Sequence, residues 1–419
     1  MNRLLYSLLL VVLLPVVLLY LLWRSRKTPE YRQRLGERLG WSRPPVEGAI
    51  LVHCASMGET LAAVPLIRAL QSRYPDTPVL VTSFTPSGSE QVRKSFGDSV
   101  HHGYLPLDLS GVMRRYLKRL KPQMVVLMET ELWPNLIHHC HTQKVPVMLA
   151  NARMSERSAR GYGRFPRLTR PMLGKLDAVA AQSGDDGNRL VQLGLDPARL
   201  TICGSLKFDL PIDPRRLKDL SQARHQWLGD RIAWCAGSTH PGEFEQALSA
   251  HHRLLNLHPD LLLVLVPRHP EQFDSAHRLS EAAGFVTARR SEGGVLPERV
   301  QVVIGDTMGE LLSLYGMTDA AFVGGSLIER GGHNPLEPAA LAKPVLMGPH
   351  FFNFQEISRT LLQAGGMVLV HDTDELAEQL EHLLSLRNQA EQMGHQGQRV
   401  VDTNRGATDR QLALAASLL

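Results

Sequence analysis

The chain has 419 residues, 43% hydrophobic and 21% charged, with a net charge of +5. That length exceeds one ordinary core and predicts two domains, and that composition excludes a disordered chain. Its four cysteines, Cys54, Cys140, Cys203 and Cys235, lie far apart with no CxxC pair, which argues against a zinc site or disulfide framework and fits a reducing compartment.

The first element is Leu4 to Trp23, 20 residues without a charge, long enough to cross a bilayer as a helix. Pro15 is tolerated in such a helix. A cleaved signal peptide would have a shorter apolar core and a small-residue cleavage site, whereas Arg24-Ser25-Arg26-Lys27 follows here. The expectation is an uncleaved single-pass anchor over residues 1–27, with the rest of the chain in the cytoplasm by the positive-inside rule. From Arg24 to Arg43 seven basic residues face only Glu30 and Glu37, so this stretch accounts for the whole net charge. So local a charge is a poor match to nucleic-acid binding across a domain face. Residues 28–47 are read as a basic juxtamembrane segment that suits anionic headgroups or the phosphates of a lipid substrate.

From residue 48 short β-branched runs alternate with amphipathic stretches. The runs are 49–56, 78–84, 124–130, 145–151, 178–183 and 200–205. A polar stretch over 211–230 follows, and then runs at 232–238, 261–269, 300–306, 320–326 and 344–350. This alternation predicts parallel sheets covered on both faces. The expected architecture is α/β: a first doubly wound, Rossmann-like domain over 48–210, a linker over 211–230 and a second such domain over 231–419, ending in helices from about 374. Two such domains are expected to face each other across a cleft, with ligands at the carboxyl ends of the strands. No G-x-G-x-x-G opens the first βα turn and no Walker GK[ST] occurs, which weighs against nicotinamide or ATP chemistry.

The clusters that could carry chemistry fall at those strand ends. "HCASMGET" puts Glu59 where a strand turns into a helix. The helix dipole there would stabilise its ionised form, and burial would push the other way. "METELWPN" offers Glu129 and Glu131, which an extended segment would point to opposite sides. Arg153, Arg157 and Arg160 could meet a carboxylate or phosphate, and Lys207 closes the last strand before the linker. In the second half Arg268 ends a strand, and Gly305 to Gly309 precede a helix expected from Glu310, a turn suited to an anion. In "GGSLIERGGHNPLEPAA", Asn334 can cap a helix with Pro335 in its first turn and Glu337 after it. Glu337 could then serve that helix or grip ribose hydroxyls. Glu329 and Glu337 stand eight apart, an unspecific spacing. His53, His240, His269, His333 and His350 are scattered without a ligand spacing, so no metal is expected.

Together, "SMGET", "METELWPN", "NARMSERSARGY", "GSLKFD", "VPRHPE", "GDTMGEL" and "FVGGSLIERGGHNPLEPAA" closely resemble the bacterial Kdo transferases, the 3-deoxy-D-manno-octulosonic acid transferases of lipopolysaccharide assembly. The resemblance runs from the apolar segment to about residue 355. It implies two Rossmann-like domains of GT-B type, the first binding acceptor and the second donor, held at the cytoplasmic face of the inner membrane. It implies inverting transfer of Kdo from CMP-Kdo to the lipid A precursor, lipid IVA, with no cofactor and no metal, and with no nucleic acid as partner. Carried onto this chain, Glu59 would be the general base, and Glu129 and Lys207 would stabilise the transition state. Pro267, Arg268, Met308, Gly309, Glu310, Asn334, Pro335, Leu336 and Glu337 would hold the CMP.

Three other readings stand beside this one. A nucleotide-sugar epimerase of similar fold would work on soluble sugar and need no anchor. An anchored scaffold that only binds sugar nucleotides would have no turnover for a Glu59→Gln change to remove. A peptidoglycan-type transferase would prefer UDP over CMP.

Overall fold

The β-branched runs form the strands of two seven-stranded sheets, parallel at every pairing. The computed structural model describes residues 1–26, 28–210 and 214–419. It divides into two compact units, Met1–Asp209 with Asn404–Leu419, and Leu210–Thr403. Lys27, the last residue of the expected anchor, and 211–213, the start of the expected linker, lie outside the described residues.

The first unit contains β1 (Ile50–His53), β2 (Val79–Ser83), β3 (His101–Tyr104), β4 (Met124–Met128), β5 (Val147–Ala152), β6 (Ala178–Ala181) and β7 (Leu200–Ile202). Their order is β3-β2-β1-β4-β5-β6-β7. Side chains alternate between the sheet's two faces, and both faces are buried. Ala49 and Leu51 join one apolar layer with Leu117 and Leu136. Ile50 and Val52 join the other with Leu66, Ile67 and Leu70 from the helix Met57–Arg73. Removing one such side chain, as in Leu66→Ala, costs about 2–5 kcal/mol.

The second unit contains β8 (Ala233–Thr239), β9 (Leu262–Pro267), β10 (Thr287–Arg289), β11 (Val302–Ile304), β12 (Ala320–Val323), β13 (Val345–Met347) and β14 (Met367–Leu369). Their order is β10-β11-β9-β8-β12-β13-β14. Each sheet has a central switch point, between β1 and β4 and between β8 and β12, and in the second sheet the edge pair β10 and β11 also stands out of chain order. In open α/β sheets ligands bind at such switch points, outside the carboxyl ends of the strands. Gly324 is required at the second one. A Cβ there would stand 2.7 Å from Ser238 O and from Thr239 Cα, so any side chain would force β12 away from β8.

Two expectations about organisation change. The stretch read as a linker is a helix from residue 214, Pro214–Leu228, that belongs to the second unit. Its Trp227 and Leu228 are buried with Leu314 and Tyr315, and Arg224 donates to Asp319 Oδ2 at 3.0 Å. Polar composition concealed a helix with only one apolar edge. The second domain also does not extend to residue 419. The last helix, Ala407–Ala416, packs Ala407 and Ala415 into the first unit's core. Asp209 accepts from the backbone N–H of Gly406 at 2.7 Å and of Thr408 at 2.5 Å, which ties the chain's return to that unit.

The helix Arg3–Arg24 is long and apolar enough to cross a membrane by length and composition. The basic segment after it is less uniform than its charge suggests. Arg24, Arg26, Arg32 and Arg43 are exposed. Arg34 pairs with Glu37 at 2.7 Å, and Arg38 is 1% exposed, with its guanidinium 3.8 Å from the centre of the Tyr104 ring. Arg38 is therefore a packing residue, unavailable to a lipid phosphate.

Candidate active site

At the first switch point β1 hands over to the helix Met57–Arg73 through Cys54, Ala55 and Ser56. Ser56 caps that helix, its Oγ accepting from Glu59 N at 3.3 Å. The Glu59 carboxylate folds back over the same helix end. Its Oε2 accepts from Ala55 N at 2.8 Å and its Oε1 from Ser56 Oγ–H at 2.9 Å. These bonds fix the carboxylate at the carboxyl end of β1 instead of leaving it on the helix surface. Gly88 lets the next helix, Pro86–Phe96, close on this turn, because a Cβ there would stand 3.2 Å from Ser56 C.

Burial pushes the Glu59 carboxyl up to about 7, and the negative charges of Glu131 and Glu129 push in the same direction. The bonds from Ala55 and Ser56 oppose the rise without cancelling it. The dipole argument, which favours an ordinary ionised carboxylate, is thus outweighed by desolvation and neighbouring charge.

Glu129 and Glu131 follow β4, the strand beside β1. They do not point to opposite sides as an extended segment would have them. Glu129 sits in the left-handed region at φ 51°, and Glu131 N closes a turn onto Met128 O at 3.0 Å. A glutamate held there stores about 1–3 kcal/mol of backbone strain, a cost that concentrates at functional sites. The turn brings both carboxylates into the field of Glu59. Glu129 Oε1 lies 3.8 Å from Lys207 Nζ. Glu131 Oε2 accepts from Trp133 Nε1 at 2.9 Å and lies 3.7 Å from His53 Nε2. His53 Nδ1 bonds with Thr82 Oγ1 at 3.0 Å, and its Nε2 is buried with no hydrogen-bond partner among the described residues.

Lys207 stands on a short 3-10 turn, Leu206–Phe208. Asn151 orders it: its Oδ1 accepts from Leu206 N at 3.0 Å, while its own N donates to Gln411 Oε1 at 2.9 Å. Residues near 151, 207 and 411 therefore form one support, and nothing in the sequence pairs the last helix with the other two. Arg157 and Arg160 are exposed on the helix Glu156–Gly163, away from this cluster's hydrogen bonds.

At the second switch point three scattered histidines come together. His240 Nε2 and His333 Nε2 share a hydrogen bond at 2.9 Å, their rings nearly parallel, and His269 meets His240 edge-on at 5.6 Å between centroids. Burial first, then neighbouring cations that include Arg268, holds His240 at about 4 and His333 at about 3, so both rings are neutral near pH 7. Glu243 shapes the loop after β12. It is 1% exposed and accepts from the N–H groups of Gly325, Ser326 and Leu327 at 2.7–3.1 Å and of His240 at 3.1 Å. Sequence reading passed over Glu243 because one glutamate early in a helix is commonplace.

Of the residues expected to hold CMP, Arg268 and Glu337 fall within each other's field. Burial raises the Glu337 carboxyl, while the Asn334 hydrogen bond and the Arg268 charge pull it back. Asn334 Oδ1 accepts from Leu336 N at 3.1 Å, and Asn334 Nδ2 donates to Glu337 Oε1 at 3.3 Å. The helix is Leu336–Ala340, with Pro335 just before it. Pro267 is the last residue of β9. Met308, 60% exposed, and Gly309, at φ +83°, belong to the turn after β11. Glu310 immediately precedes the helix Leu311–Met317, and its carboxylate accepts from Thr307 Oγ1–H at 2.6 Å and Arg290 Nε at 3.1 Å. Glu329 is exposed and takes no part in the Glu337 arrangement.

Comparison with known proteins bears on both units. Residues 33–210 match the family model described as 3-Deoxy-D-manno-octulosonic-acid transferase (kdotransferase), and residues 242–400 match Glycosyl transferases group 1. The chain is 45% identical to the 3-deoxy-D-manno-octulosonic acid transferase of Haemophilus influenzae, over 99% of this chain and 98% of that one. It is 35% identical to the enzyme of the same name from Bordetella pertussis, over 98% of each. Among solved structures, a UDP-GlcNAc 2-epimerase from Neisseria meningitidis bound to UDP-GlcNAc superposes with a TM-score of 0.56 at 16% identity, covering 88% of this chain and 100% of that one. That likeness shows the fold alone.

Proposed function

The chain belongs to the 3-deoxy-D-manno-octulosonic acid (Kdo) transferase family of lipopolysaccharide biosynthesis, and from that premise we propose that it transfers Kdo from CMP-Kdo to lipid IVA with inversion and without a metal. The observation that carries this reading is Glu59, a carboxylate fixed at the first switch point and pushed up to about 7. A base of that strength suits proton removal from a sugar hydroxyl near neutral pH.

Glu59 takes the proton of the acceptor hydroxyl as its oxygen attacks the anomeric carbon of Kdo. The new C–O bond forms on the face opposite the breaking bond to the CMP phosphate, and CMP leaves with the bonding electron pair. Lys207, oriented against Glu129, faces the negative charge of the Kdo carboxylate. In the second unit Arg268 and the N–H groups before the helices Leu311–Met317 and Leu336–Ala340 offset charge on the departing phosphate. Glu337 accepts from ribose hydroxyls. On this reading the first unit serves the acceptor and the second the donor.

The acceptor is an acylated, phosphorylated disaccharide embedded in a membrane. We place the enzyme at the cytoplasmic face of the inner membrane, attached through its N-terminal helix, with exposed arginines towards anionic headgroups. Incubation of membranes holding the protein with lipid IVA and CMP-Kdo generated in situ tests the proposal by product mass. Lipid IVA carrying one or more added Kdo residues is the expected product. Unchanged lipid IVA overturns the reading, and activity lost on chelation overturns its metal independence.

A further inference from the structure

The N-terminal helix Arg3–Arg24 is covered along one continuous stripe. Arg3, Tyr6, Ser7, Leu10, Leu14, Val17, Leu18 and Leu21 are partly or fully buried, at the three- and four-residue spacing of a single helix face. The opposite face is bare: Leu4, Leu8, Val12, Val16, Leu19 and Trp23 are 59–70% exposed, with Leu5, Leu9 and Val11 beside them.

Both ends of the stripe are fastened to the first unit. At the start, Tyr6 OH donates to Asp108 Oδ2 at 3.1 Å, and Arg3 Nη1 and Ser7 Oγ–H both donate to Asn135 Oδ1, at 3.1 and 3.0 Å. Asp108 is built to receive this contact. It is 2% exposed and also accepts from Asn135 N at 2.9 Å and Leu136 N at 2.8 Å, at the start of the helix Pro134–Thr142. At the other end Leu21 is buried, and the Arg24 guanidinium lies 4.9 Å from the centre of the Tyr31 ring. The helix is about 33 Å long at about 1.5 Å per residue, comparable to the thickness of a bilayer's hydrocarbon core. A crossing helix would carry Arg3, Tyr6 and Ser7 to the far face, removing these donors from Asp108 and Asn135.

We propose that this helix serves as an in-plane anchor, docked along its length on the first unit, with its bare apolar face sunk into one leaflet of an anionic membrane. An amphipathic helix lying at the interface buries its apolar side by roughly 5–10 Å. Much of the polarity that such a helix would normally supply comes here from the protein surface it covers. The charge pattern fits one leaflet, because basic groups stand at both ends of the bare face. Arg24, Arg26 and Arg32 are exposed beyond its end. Near its start Lys175 lies within the field of Arg3, and Arg114 shares with Arg3 the field of His139. A spanning helix needs positive charge on one side only. This inference concerns topology and holds for whichever sugar the enzyme transfers.

The full-length chain in sealed membrane vesicles tests it. Its native cysteines are all buried, so introduced thiols report alone. Asn2→Cys and Arg26→Cys are each treated with a membrane-impermeant maleimide on the side that bears the two units. Labelling of both variants from that side before detergent is added is expected. Asn2→Cys labelled only from the opposite side overturns the in-plane anchor.

Discussion

The two switch points share one scaffold and carry opposite chemistry. At β1 and β4 three carboxylates, Glu59, Glu129 and Glu131, gather with Lys207 as the nearby cation. At β8 and β12 the half-buried Glu337, His240 and His333 all stand in the field of Arg268, with His269 against His240. Crowded carboxylates raise one another's proton affinity, which makes a base out of an ordinary glutamate. Cations and helix N-termini depress proton affinity and hold anions instead. Fold alone therefore does not assign roles to the two units; the side chains at equivalent strand ends do.

The sharpest way to break this comparison is Glu59→Gln. If the first site handles the proton and the second holds CMP, as proposed, turnover falls by about 10²–10⁴-fold while CMP affinity stays unchanged. A radiolabelled Kdo transfer assay and a CMP titration read the two separately. A Glu59→Gln enzyme that keeps its rate would take the base away from the first unit. Lys207→Ala ranks next, with a loss of about 10²–10³ in kcat, the scale of removing one charge-stabilising donor. Because Lys207 rests on Asn151 and Gln411 through backbone contacts, Gln411→Ala should reproduce a small part of that loss. A Lys207→Ala variant with unchanged kcat would leave Glu129 without a role in turnover.

The second site gives the reciprocal prediction. Glu337→Gln replaces one acceptor oxygen with a donor in a half-buried setting already supplied by Asn334 and Arg268. Leaving buried partners mismatched costs about 1–3 kcal/mol, so CMP should bind at least about fivefold more weakly by calorimetry, with the pH–rate profile unmoved. An unchanged CMP affinity would exclude Glu337 from the nucleotide contacts.

The sequence exposes the scaffold unevenly, for a physical reason. Eleven of the fourteen strands coincide with apolar runs, while β3 (HHGY), β10 (TAR) and β14 (MVL) do not. All three lie at sheet edges. An edge strand has one neighbour and less burial, so it can be short or polar and leaves no run to read. The positions of Glu59 and Arg268 are legible because each closely follows an apolar run that forms a strand, β1 and β9. The histidine trio was not, since its members come from turns separated by tens of residues and only the β9-β8-β12 order joins them. Gln411 was hidden for the same reason: the chain's return to the first unit leaves no periodic signal.

Glu131 offers the finest test, because it separates a positioning role from a structural one. Burial is the larger cause of the raised Glu59 proton affinity and Glu131 the next. Glu131→Gln keeps an oxygen for the Trp133 indole N–H and removes only the charge. Glu59 must be deprotonated to accept a proton, so wild-type activity should fall as pH drops through about 7. Without the Glu131 charge the Glu59 carboxylate is easier to form, and the acidic limb of kcat/KM moves to lower pH. The move should be less than about one pH unit, since burial remains. At pH 6 the variant would then retain a larger fraction of its own maximum than the wild type does. A Glu131 that merely braces the turn after β4 would lower the rate at every pH and leave the limb where it was.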